Sequence, residues 1–414
     1  MLLSLFTPTH NPVFLHETYG SLKRQTVTDW EWIIVPNGRN VVIPEAIQRD
    51  PRVRLVTGGE NLYNVGALKR KAVEHCSGDV FIELDHDDLL VPGLTLQQIK
   101  NKFLAGAGFV YSDAAVFRYV PPKLWTDRTK PKYKPYTYAA QHGFSNYAFN
   151  VYGRELKACR VFDITPRSLS EIFYCPDHVR CWSRKAYYEA GGHNPDMEVC
   201  DDHELMIKTY LTGARFEHTG FCNYLYRLHE QNTVLVRNQK IQELTEKLKI
   251  SYLPQLISEW LKRHKYPILN LTELLNSGWK VKRDLLQGFG RDKFGHIIAN
   301  TELQKFKGKH VRDFMNAAYY ALIPGGYLTI IVPEVHSGMG YGDVEWKSHF
   351  SAVSMQPYTT KEFARANGHI ECRFQQISCS VVYPSDWHKK KDFKFLRFEL
   401  AALKGQVQPG LQYI

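Results

Sequence analysis

Three aspartates stand close together directly after an apolar stretch of the sequence. Asp85, Asp87 and Asp88 follow the run VFIEL, which has the composition of a buried strand. Carboxylates crowded at the end of such a strand are costly unless a cation lies among them. Oxygen ligands suit hard divalent ions such as Mg²⁺ or Mn²⁺, which bridge readily to a diphosphate. Since the basic stretch from Lys69 to Lys71 could face that phosphate, we favour a metal site over a solvated acidic turn.

The elements that must position this cluster alternate along the chain. From residue 1 to about 115, short apolar runs alternate with helical spacings. Such alternation predicts a Rossmann-like α/β domain on a mostly parallel sheet, in which ligands bind beyond the carboxyl ends of the strands. Thr7, Pro8 and Asn37 end the first two predicted strands. They should therefore lie at the same rim as Asp85.

The amino-acid composition limits the class of protein but does not identify its binding partner. The net charge is +11, which is consistent with nucleic acid, an anionic membrane face or a phosphorylated donor. The eight cysteines form no CxxC pair, so we expect small core residues rather than zinc ligands. No run of about eighteen apolar residues occurs, and the first residues do not resemble a signal peptide. These features predict a cytoplasmic protein without a transmembrane segment.

Changes of pattern along the chain predict the domain organisation. Residues 119–170 have no clean period, and the part 121–138 is rich in proline, lysine and aromatic residues, which predicts a long loop over the site. Helical spacing then runs over 238–264 and is interrupted at Pro254. We interpret this helix as a connector, with an amphipathic helix on a membrane surface as the alternative. The predicted domains are 1–236, the connector 237–265, and 266–414.

Four segments, spread in order over the first part of the chain, resemble family-2 glycosyltransferases with the GT-A fold. They correspond to the opening of the domain, the donor-site segment, the acceptor-side segment and a closing YRxH motif. The segments read FTPTHNPVFLHETYGSLKRQTVTDWEWIIVPNG, NVGALKRKAVEHCSGDVFIELDHDDLLVP, VRCWSRKAYYEAGGHNPDMEVCDDHELMIKTYLTG and LYRLHEQNT. The resemblance implies a hexosyl- or pentosyltransferase that uses a nucleotide-sugar donor, with a UDP-sugar favoured.

The resemblance also implies roles for individual residues on the donor side. Asp85 would contact the ribose, and Asp87, with Asp88, would hold a divalent metal. His229 is a further candidate ligand, although a histidine after a strand can equally be structural. The other predicted donor-binding residues are Thr7, Pro8, Asn37 and Lys69. At Pro36-Asn37 the sequence departs from the family, which has aspartates there, so the nucleotide stays open.

An acidic pair on the acceptor side matches the family's catalytic carboxylates. Direct attack of an acceptor hydroxyl on the anomeric carbon needs a general base within hydrogen-bond reach. The resemblance makes Asp202 the predicted base and Asp201 the second choice, and a single displacement of this kind inverts the anomeric configuration. Both residues would also favour the start of a helix, and that structural role is compatible with catalysis.

The last part of the chain resembles the latter half of Class I methyltransferases. The stretches IPGGYLTIIVPE and MGYGDVEWKSHFSAVSMQPYTTKEFA carry this resemblance. Those enzymes bind their cofactor with a glycine-rich turn, whereas Thr272 to Leu275 stand at the corresponding place here, and bulky side chains there would block it. We therefore expect a degenerate domain that does not bind S-adenosylmethionine and serves structure, dimerisation or acceptor binding.

The acceptor is left open by the sequence. A glycan or lipid-linked saccharide is the leading interpretation, and a hydroxymethylated pyrimidine in phage DNA is the alternative, which the basic charge and the 121–138 stretch permit. A non-catalytic adaptor with a transferase fold is the third. A homo-oligomer is compatible with all three.

Overall fold

The computed structural model describes residues 1–57, 64–118, 143–272, 290–366 and 369–405. The chain divides into two compact units, Met1–Leu256 and Ile257–Ile414. The predicted loop stretch 121–138 and the residues from Glu273 to Leu275 lie outside the described residues. None of the described helices has both the length and the apolar character needed to cross a membrane.

The first unit is an α/β fold around one sheet. Its described strands are β1 (Leu3–Thr9), β2 (Trp30–Pro36), β3 (Val53–Leu55), β4 (Val80–Glu83), β5 (Leu89–Leu90), β6 (Phe109–Arg118), β7 (Asn146–Val151), β8 (Arg154–Cys159), β9 (Arg180–Ser183) and β10 (Phe216–Leu228). Its helices are α1 (Leu15–Lys23), α2 (Glu45–Gln48), α3 (Val65–Glu74), α4 (Thr95–Leu104), α5 (Pro166–Ser170), α6 (Arg184–Glu189), α7 (Asp201–Leu211), α8 (Thr233–Val236) and the start of α9 (Asn238–His264).

The order of the strands in this sheet is β3-β2-β1-β4-β9-β6-β10-β5, with β8 on β6 and β7 on β8. The first four strands are parallel, as expected for apolar runs that are buried on both faces. However, β9 lies antiparallel between β4 and β6, and the hairpin β7–β8 is also antiparallel. The sheet is therefore mixed, and the expectation of a mostly parallel sheet is wrong. Because β9 comes late in the chain, no local pattern could place it beside β4.

Two further expectations from the sequence need correction. Residues 146–159 form the hairpin β7–β8, although the sequence had predicted loop throughout 119–170. Helix α9 is continuous through Pro254 instead of being interrupted there. A proline removes one hydrogen bond of a helix, and the burial of Leu253 and Leu256 beside it holds the turn together.

The second unit is a smaller α/β fold. Its described strands are β11 (Ile268–Asn270), β12 (Phe294–Asn300), β13 (Leu322–Pro333), β14 (Phe374–Val382) and β15 (Phe395–Ala402), and its helices are α10 (Gly308–Ala321), α11 (Gln356–Thr359), α12 (Lys361–Ala366) and α13 (Asp386–Lys390). The strand order is β11-β12-β13-β15-β14, parallel from β11 to β13 and antiparallel beyond. Ile297, Leu328 and Phe398, all fully buried, lie in its core.

The cysteines behave as the sequence predicts. All eight are free, and all except Cys379 are buried. They pack as small apolar side chains within the two units.

Close backbone packing fixes α3, the helix that precedes β4 and the acidic loop, which is the segment from Asp85 to Asp88. A Cβ atom at Gly66 would lie 2.0 Å from the carbonyl oxygen of Asn194. We expect Gly66→Ala to lower the free energy of unfolding by about 1–3 kcal/mol, because the backbone must shift to admit the methyl group. Chemical denaturation followed by circular dichroism measures the change.

The matched control is Gly20→Ala, also within a helix of the first unit. Its Cβ would meet the end of the Arg24 side chain at 3.4 Å, an ordinary contact. We expect this variant to be stabilised by up to about 1 kcal/mol, since alanine favours helices over glycine. Equal stability of the two variants would contradict the packing described for α3.

Candidate active site

The ends of several strands and the start of α7 surround one cavity of the first unit. Its volume is about 630 Å³. Of the residues predicted for the site, the following line the cavity: Pro8, Asn37, Lys69, Asp85, Asp87, Asp201, Asp202 and His229. Thr7 and Asp88 do not line it and are buried beneath it. The fold thus brings together residues that are distant in the sequence and that were predicted for the donor side and the acceptor side.

Hydroxyl groups below the cavity hold the acidic loop that follows β4. Thr7 Oγ1 donates a hydrogen bond to the carbonyl of Leu84 at 2.5 Å and accepts one from Trp32 Nε1 at 2.8 Å. Thr18 Oγ1 lies 2.9 Å from the carbonyl oxygen of Asp88 and donates to it. Thr7 therefore supports the loop from below, whereas its neighbour Pro8 lines the cavity.

At the rim, the end of β2 is fixed beside the end of β1. The backbone N–H of Asn37 donates to the carbonyl of Thr9 at 2.7 Å. The parallel pairing of β1 with β2 continues to Thr9 and Pro36, so this hydrogen bond extends the ladder by one residue. Asn37 consequently enters the cavity wall close to Pro8, as the sequence predicts for two neighbouring strand ends.

Asp87 and His229 form a pair across the cavity wall. Asp87 Oδ2 lies 2.7 Å from His229 Nε2, and both side chains are largely buried. Burial opposes ionisation of Asp87, but its hydrogen bond with His229 and the nearby His86 outweigh that effect and lower its pKa. A carboxylate and an imidazole at this distance can share a proton, and they can also both coordinate a metal ion.

Asp88 has a different environment from its neighbours in the loop. One of its oxygens accepts the backbone N–H of Arg227 at 2.6 Å, and the other has no hydrogen-bond partner among the described residues. Burial, together with Asp87 and Asp85, raises its pKa well above the ordinary value. Asp88 thus joins the acidic loop to β10 and carries an unsatisfied buried oxygen.

The acidic loop fits a divalent cation by the chemistry of its donor atoms. Asp85, Asp87 and Asp88 each offer one oxygen, and these oxygens lie within 4.8 Å of one another. Hard carboxylate oxygens and one imidazole nitrogen, from His229, suit Mn²⁺ or Mg²⁺. The unsatisfied oxygen of Asp88 gives a structural reason for a cation at this place.

The acidic pair lies in the first turn of α7, where the helix dipole favours carboxylates. Asp202 lines the cavity, and one of its oxygens forms a short ion pair with Arg180. Burial opposes its ionisation, but Arg180 and Lys69 keep the pKa of Asp202 below the ordinary value.

Asp201 is 2% exposed and lies 3.2 Å from Lys69 Nζ. Burial raises the pKa of Asp201 to about 7, with Asp202 and Glu83 adding to that effect and Lys69 opposing it.

Lys69, predicted to bind the donor, is engaged by two buried carboxylates. Its Nζ atom lies 2.6 Å from Glu83 Oε1 and 3.2 Å from Asp201 Oδ2. Although burial disfavours the ammonium, these two partners raise the pKa of Lys69 well above the ordinary value. Its charge is therefore directed at the protein's own carboxylates, and it ties β4 to the start of α7.

Sequence reasoning missed three charged residues of this site. Glu83 ends the fully buried strand β4, and His178 and Arg180 enter the cavity wall at the start of β9. The register of β4 on β9 places Glu83 opposite Arg180. The available signal was the presence of charged residues inside apolar strand runs, in FIEL and in HVRCW. Charges in such positions are rarely buried without a partner.

Comparisons with known proteins show what the part of the chain that carries the acidic loop is similar to. Residues 4–156 match the model of "Glycosyl transferase family 2". The chain is 30% identical over 111 residues to the O-antigen biosynthesis protein RfbC of Myxococcus xanthus, covering 25% of this chain and 8% of that protein. It is also 30% identical over 118 residues to the uncharacterized glycosyltransferase YwdF of Bacillus subtilis (strain 168), covering 28% of this chain and 43% of that protein.

Solved structures show only a weak likeness. TarS 1-349 of S. aureus in complex with UDP-GlcNAc has a TM-score of 0.44 and 12% identity, covering 78% of this chain and 84% of that one.

The first part of the chain is thus a glycosyltransferase domain. More narrowly, residues 4–156 resemble glycosyltransferase family 2, and the predicted class, a glycosyltransferase, is confirmed. The chain spans less than half the length of the curated relatives it matches. The donor, acceptor and mechanism of the whole protein are therefore matters for proposal.

The buried ion pair between Lys69 and Glu83 yields a test of stability. Lys69→Met keeps the length of the side chain but leaves Glu83 without its nearest cation. We expect a loss of about 3–5 kcal/mol in the free energy of unfolding, because an uncompensated carboxylate stays buried. Urea denaturation at neutral pH measures this loss.

The control for this variant is Lys185→Met. Lys185 is 81% exposed on its side chain and lies 3.8 Å from Glu189, one helical turn away. Since exposed ion pairs contribute little to stability, the free energy of unfolding should change by no more than about 0.5 kcal/mol. If Lys69→Met lowered the free energy of unfolding as little as Lys185→Met, Lys69 would not hold β4 and α7 together through Glu83 and Asp201.

Proposed function

We propose that the protein transfers a sugar from a nucleotide-sugar donor to an acceptor hydroxyl, in one inverting displacement that depends on a divalent metal. The observation that carries this proposal is the shared cavity, into which the acidic loop at Asp85 and the carboxylate of Asp202 both open. A family 2 glycosyltransferase domain over residues 4–156 supports the same reaction class.

In this proposal the donor occupies the end of the cavity formed by β1, β2 and β4. Pro8 and Asn37 would bound the nucleotide, and the Asp85 carboxylate would accept hydrogen bonds from the ribose hydroxyls. A UDP-sugar is the donor to test first. Asp87, Asp88 and His229 would hold Mn²⁺ or Mg²⁺ close to the diphosphate. When bound, that ion would stabilise the negative charge on the leaving diphosphate.

We assign the role of general base to Asp202. Its carboxylate opens into the cavity and is ionised at neutral pH, because Arg180 and Lys69 overcome the effect of burial. Arg180 also orients it, and the backbone N–H of His203 donates to its second oxygen at 2.7 Å. Asp201 is the second choice, since it is almost fully buried and its carboxylate is bound to Lys69. The acceptor hydroxyl would give its proton to Asp202 as it attacks the anomeric carbon.

The acceptor that we propose is a hydroxyl of a glycan or a lipid-linked saccharide. One curated relative, from Myxococcus xanthus, is named for O-antigen biosynthesis, which is consistent with a saccharide acceptor. For the second unit we propose a methyltransferase-like domain that serves structure or acceptor binding without methyl transfer. Its mixed five-stranded sheet is compatible with that proposal.

The two candidate bases predict different dependences of rate on pH. If Asp202 is the base, kcat/KM should be nearly constant between about pH 5 and pH 8, because its pKa lies below the ordinary carboxylate value. If Asp201 were the base, the rate would fall about tenfold per pH unit below a pKa of about 7. Initial rates with UDP-sugars and Mn²⁺ across this range distinguish the two.

Amide substitution provides the matched comparison for the base. Asp202→Asn should lower kcat by about 10²–10⁴-fold without changing the affinity for UDP, whereas Asp201→Asn should lower it less. If kcat fell more in Asp201→Asn than in Asp202→Asn, and kcat/KM decreased below about pH 7, the general base would be Asp201.

Metal binding can be tested without an acceptor. Asp87→Ala should weaken the binding of Mn²⁺, followed by electron paramagnetic resonance, by at least about 100-fold, and His229→Ala should have a smaller effect. Asp29→Ala is the control, because Asp29 is 69% exposed and pairs with Lys100 away from the cavity. Unchanged Mn²⁺ affinity in Asp87→Ala would show that the proposed metal site is wrong.

A further inference from the structure

A buried histidine at the entry to β9 reaches the carboxylate that we assign to the ribose. His178 is 6% exposed. Its Nε2 atom lies 3.2 Å from Asp85 Oδ2, and its Nδ1 atom lies 3.0 Å from Asp177 Oδ1. A ring nitrogen can donate to a carboxylate only when it carries a proton, so two carboxylate partners favour the imidazolium form. His178 therefore faces the Asp85 carboxylate with Nε2 at the distance of an ion pair.

The surroundings of His178 agree with this protonation state. Burial and the nearby Arg180 lower its pKa, but Asp85 and Asp177 outweigh them and raise it well above the ordinary value. Arg180 Nη1 lies 3.3 Å from His178 Nε2, so two cations stand side by side. Glu83, with Oε1 3.7 Å from His178 and 3.8 Å from Arg180, offsets their repulsion.

Tyr224 completes the support of Asp85 from the neighbouring strand β10. Its ring stacks on the imidazole of His178, with centroids 4.8 Å apart and planes inclined by 17°. Its hydroxyl oxygen accepts the backbone N–H of Asp85 at 3.2 Å. One stacked pair of rings thus contacts both the side chain and the main chain of Asp85.

Asp85 needs such support because it is the most exposed of the three aspartates. Its side chain is 35% exposed, whereas that of Asp87 is 13% exposed and Asp88 is buried. The carboxylates of the loop repel one another, and that repulsion would turn an unsupported Asp85 away from the cavity. The buried imidazole of His178, with Nε2 3.2 Å from Asp85 Oδ2, is placed to hold that carboxylate toward the cavity.

We propose that His178 is a positioning residue that holds the Asp85 carboxylate in the orientation required by the donor, while Tyr224 fixes the Asp85 backbone. This inference rests on the proposed function, in which Asp85 contacts the ribose. It assigns to the segment before β9 a role in donor affinity, distinct from the role of Arg180 at the acceptor-side carboxylate Asp202.

The test is a double-mutant cycle on nucleotide binding with the full chain. UDP in the presence of Mn²⁺ is titrated calorimetrically into the wild type, His178→Ala, Asp85→Ala and the double variant. We expect His178→Ala to weaken UDP binding by about 10–100-fold, as for the loss of a charge-assisted hydrogen bond. The double variant should bind no more weakly than Asp85→Ala alone, because both changes remove the same contact.

A conservative variant separates positioning from a general effect on folding. In His178→Gln the side-chain amide can still donate to Asp85, so we expect UDP affinity within about threefold of the wild type. His218→Ala is the matched control, because His218 also faces a buried aspartate, Asp113, at 3.1 Å and does not line the cavity. Its UDP affinity should equal that of the wild type.

Steady-state rates add a second readout. With a donor that the wild type uses, His178→Ala should raise the KM for the nucleotide sugar and leave the KM for the acceptor unchanged. If His178→Ala does not fold, Tyr224→Phe provides the test, with an expected weakening of UDP binding of about 3–10-fold.

Several results would overturn the inference. These are unchanged UDP affinity in His178→Ala, fully additive losses in the cycle, or losses in His178→Gln as large as those in His178→Ala. If His178→Ala does not fold, an unchanged UDP affinity in Tyr224→Phe would likewise overturn the inference. A wild type that binds none of UDP, GDP, CDP and ADP with Mn²⁺ would instead contradict the proposed function.

Discussion

Neutralisation of buried charge where β4 meets β9 is the constraint on which the candidate site depends. Five carboxylates and three cations meet there: Glu83, Asp85, Asp177, Asp201 and Asp202 with Lys69, His178 and Arg180. Removal of one ion from such a group leaves its partner buried without a counter-charge, at a cost of several kcal/mol. The positions of these side chains are therefore restrained more strongly than the small net stabilisation from any single ion pair suggests.

The excess of carboxylates has a functional consequence. A site with more buried acids than bases attracts protons or metal ions, and the two acidic segments respond differently. At Asp201, burial together with Asp202 and Glu83 raises the pKa to about 7. At Asp88, one buried oxygen has no hydrogen-bond partner among the described residues. The acidic loop thus has the donor atoms that the proposed cation requires, while the start of α7 keeps one ionised carboxylate, Asp202, toward the cavity.

Rigid support of these groups comes from residues without charge. Thr7, Thr18 and Tyr224 hydrogen-bond the backbone of the loop after β4, so the loop is fixed by strands and a helix on several sides. A site prepared in this way loses little free energy to reorganisation when a ligand binds. This arrangement explains how a short loop with three aspartates can be held in one conformation despite repulsion among them.

Local apolar patterns and contiguous motifs were enough to predict the parallel strands β1 to β4, the acidic loop at their edge and the glycosyltransferase class. The partner of each charged residue follows only from the tertiary structure. Lys69 was predicted to face a phosphate, but it lies between Glu83 and Asp201. The sequence assigned no role to His178, or to Arg180 within the acceptor-side segment, and both residues enter the site because β9 inserts antiparallel beside β4. Pairing between segments distant in the chain leaves no periodic signal in either segment, and for that reason it could not be predicted from the sequence.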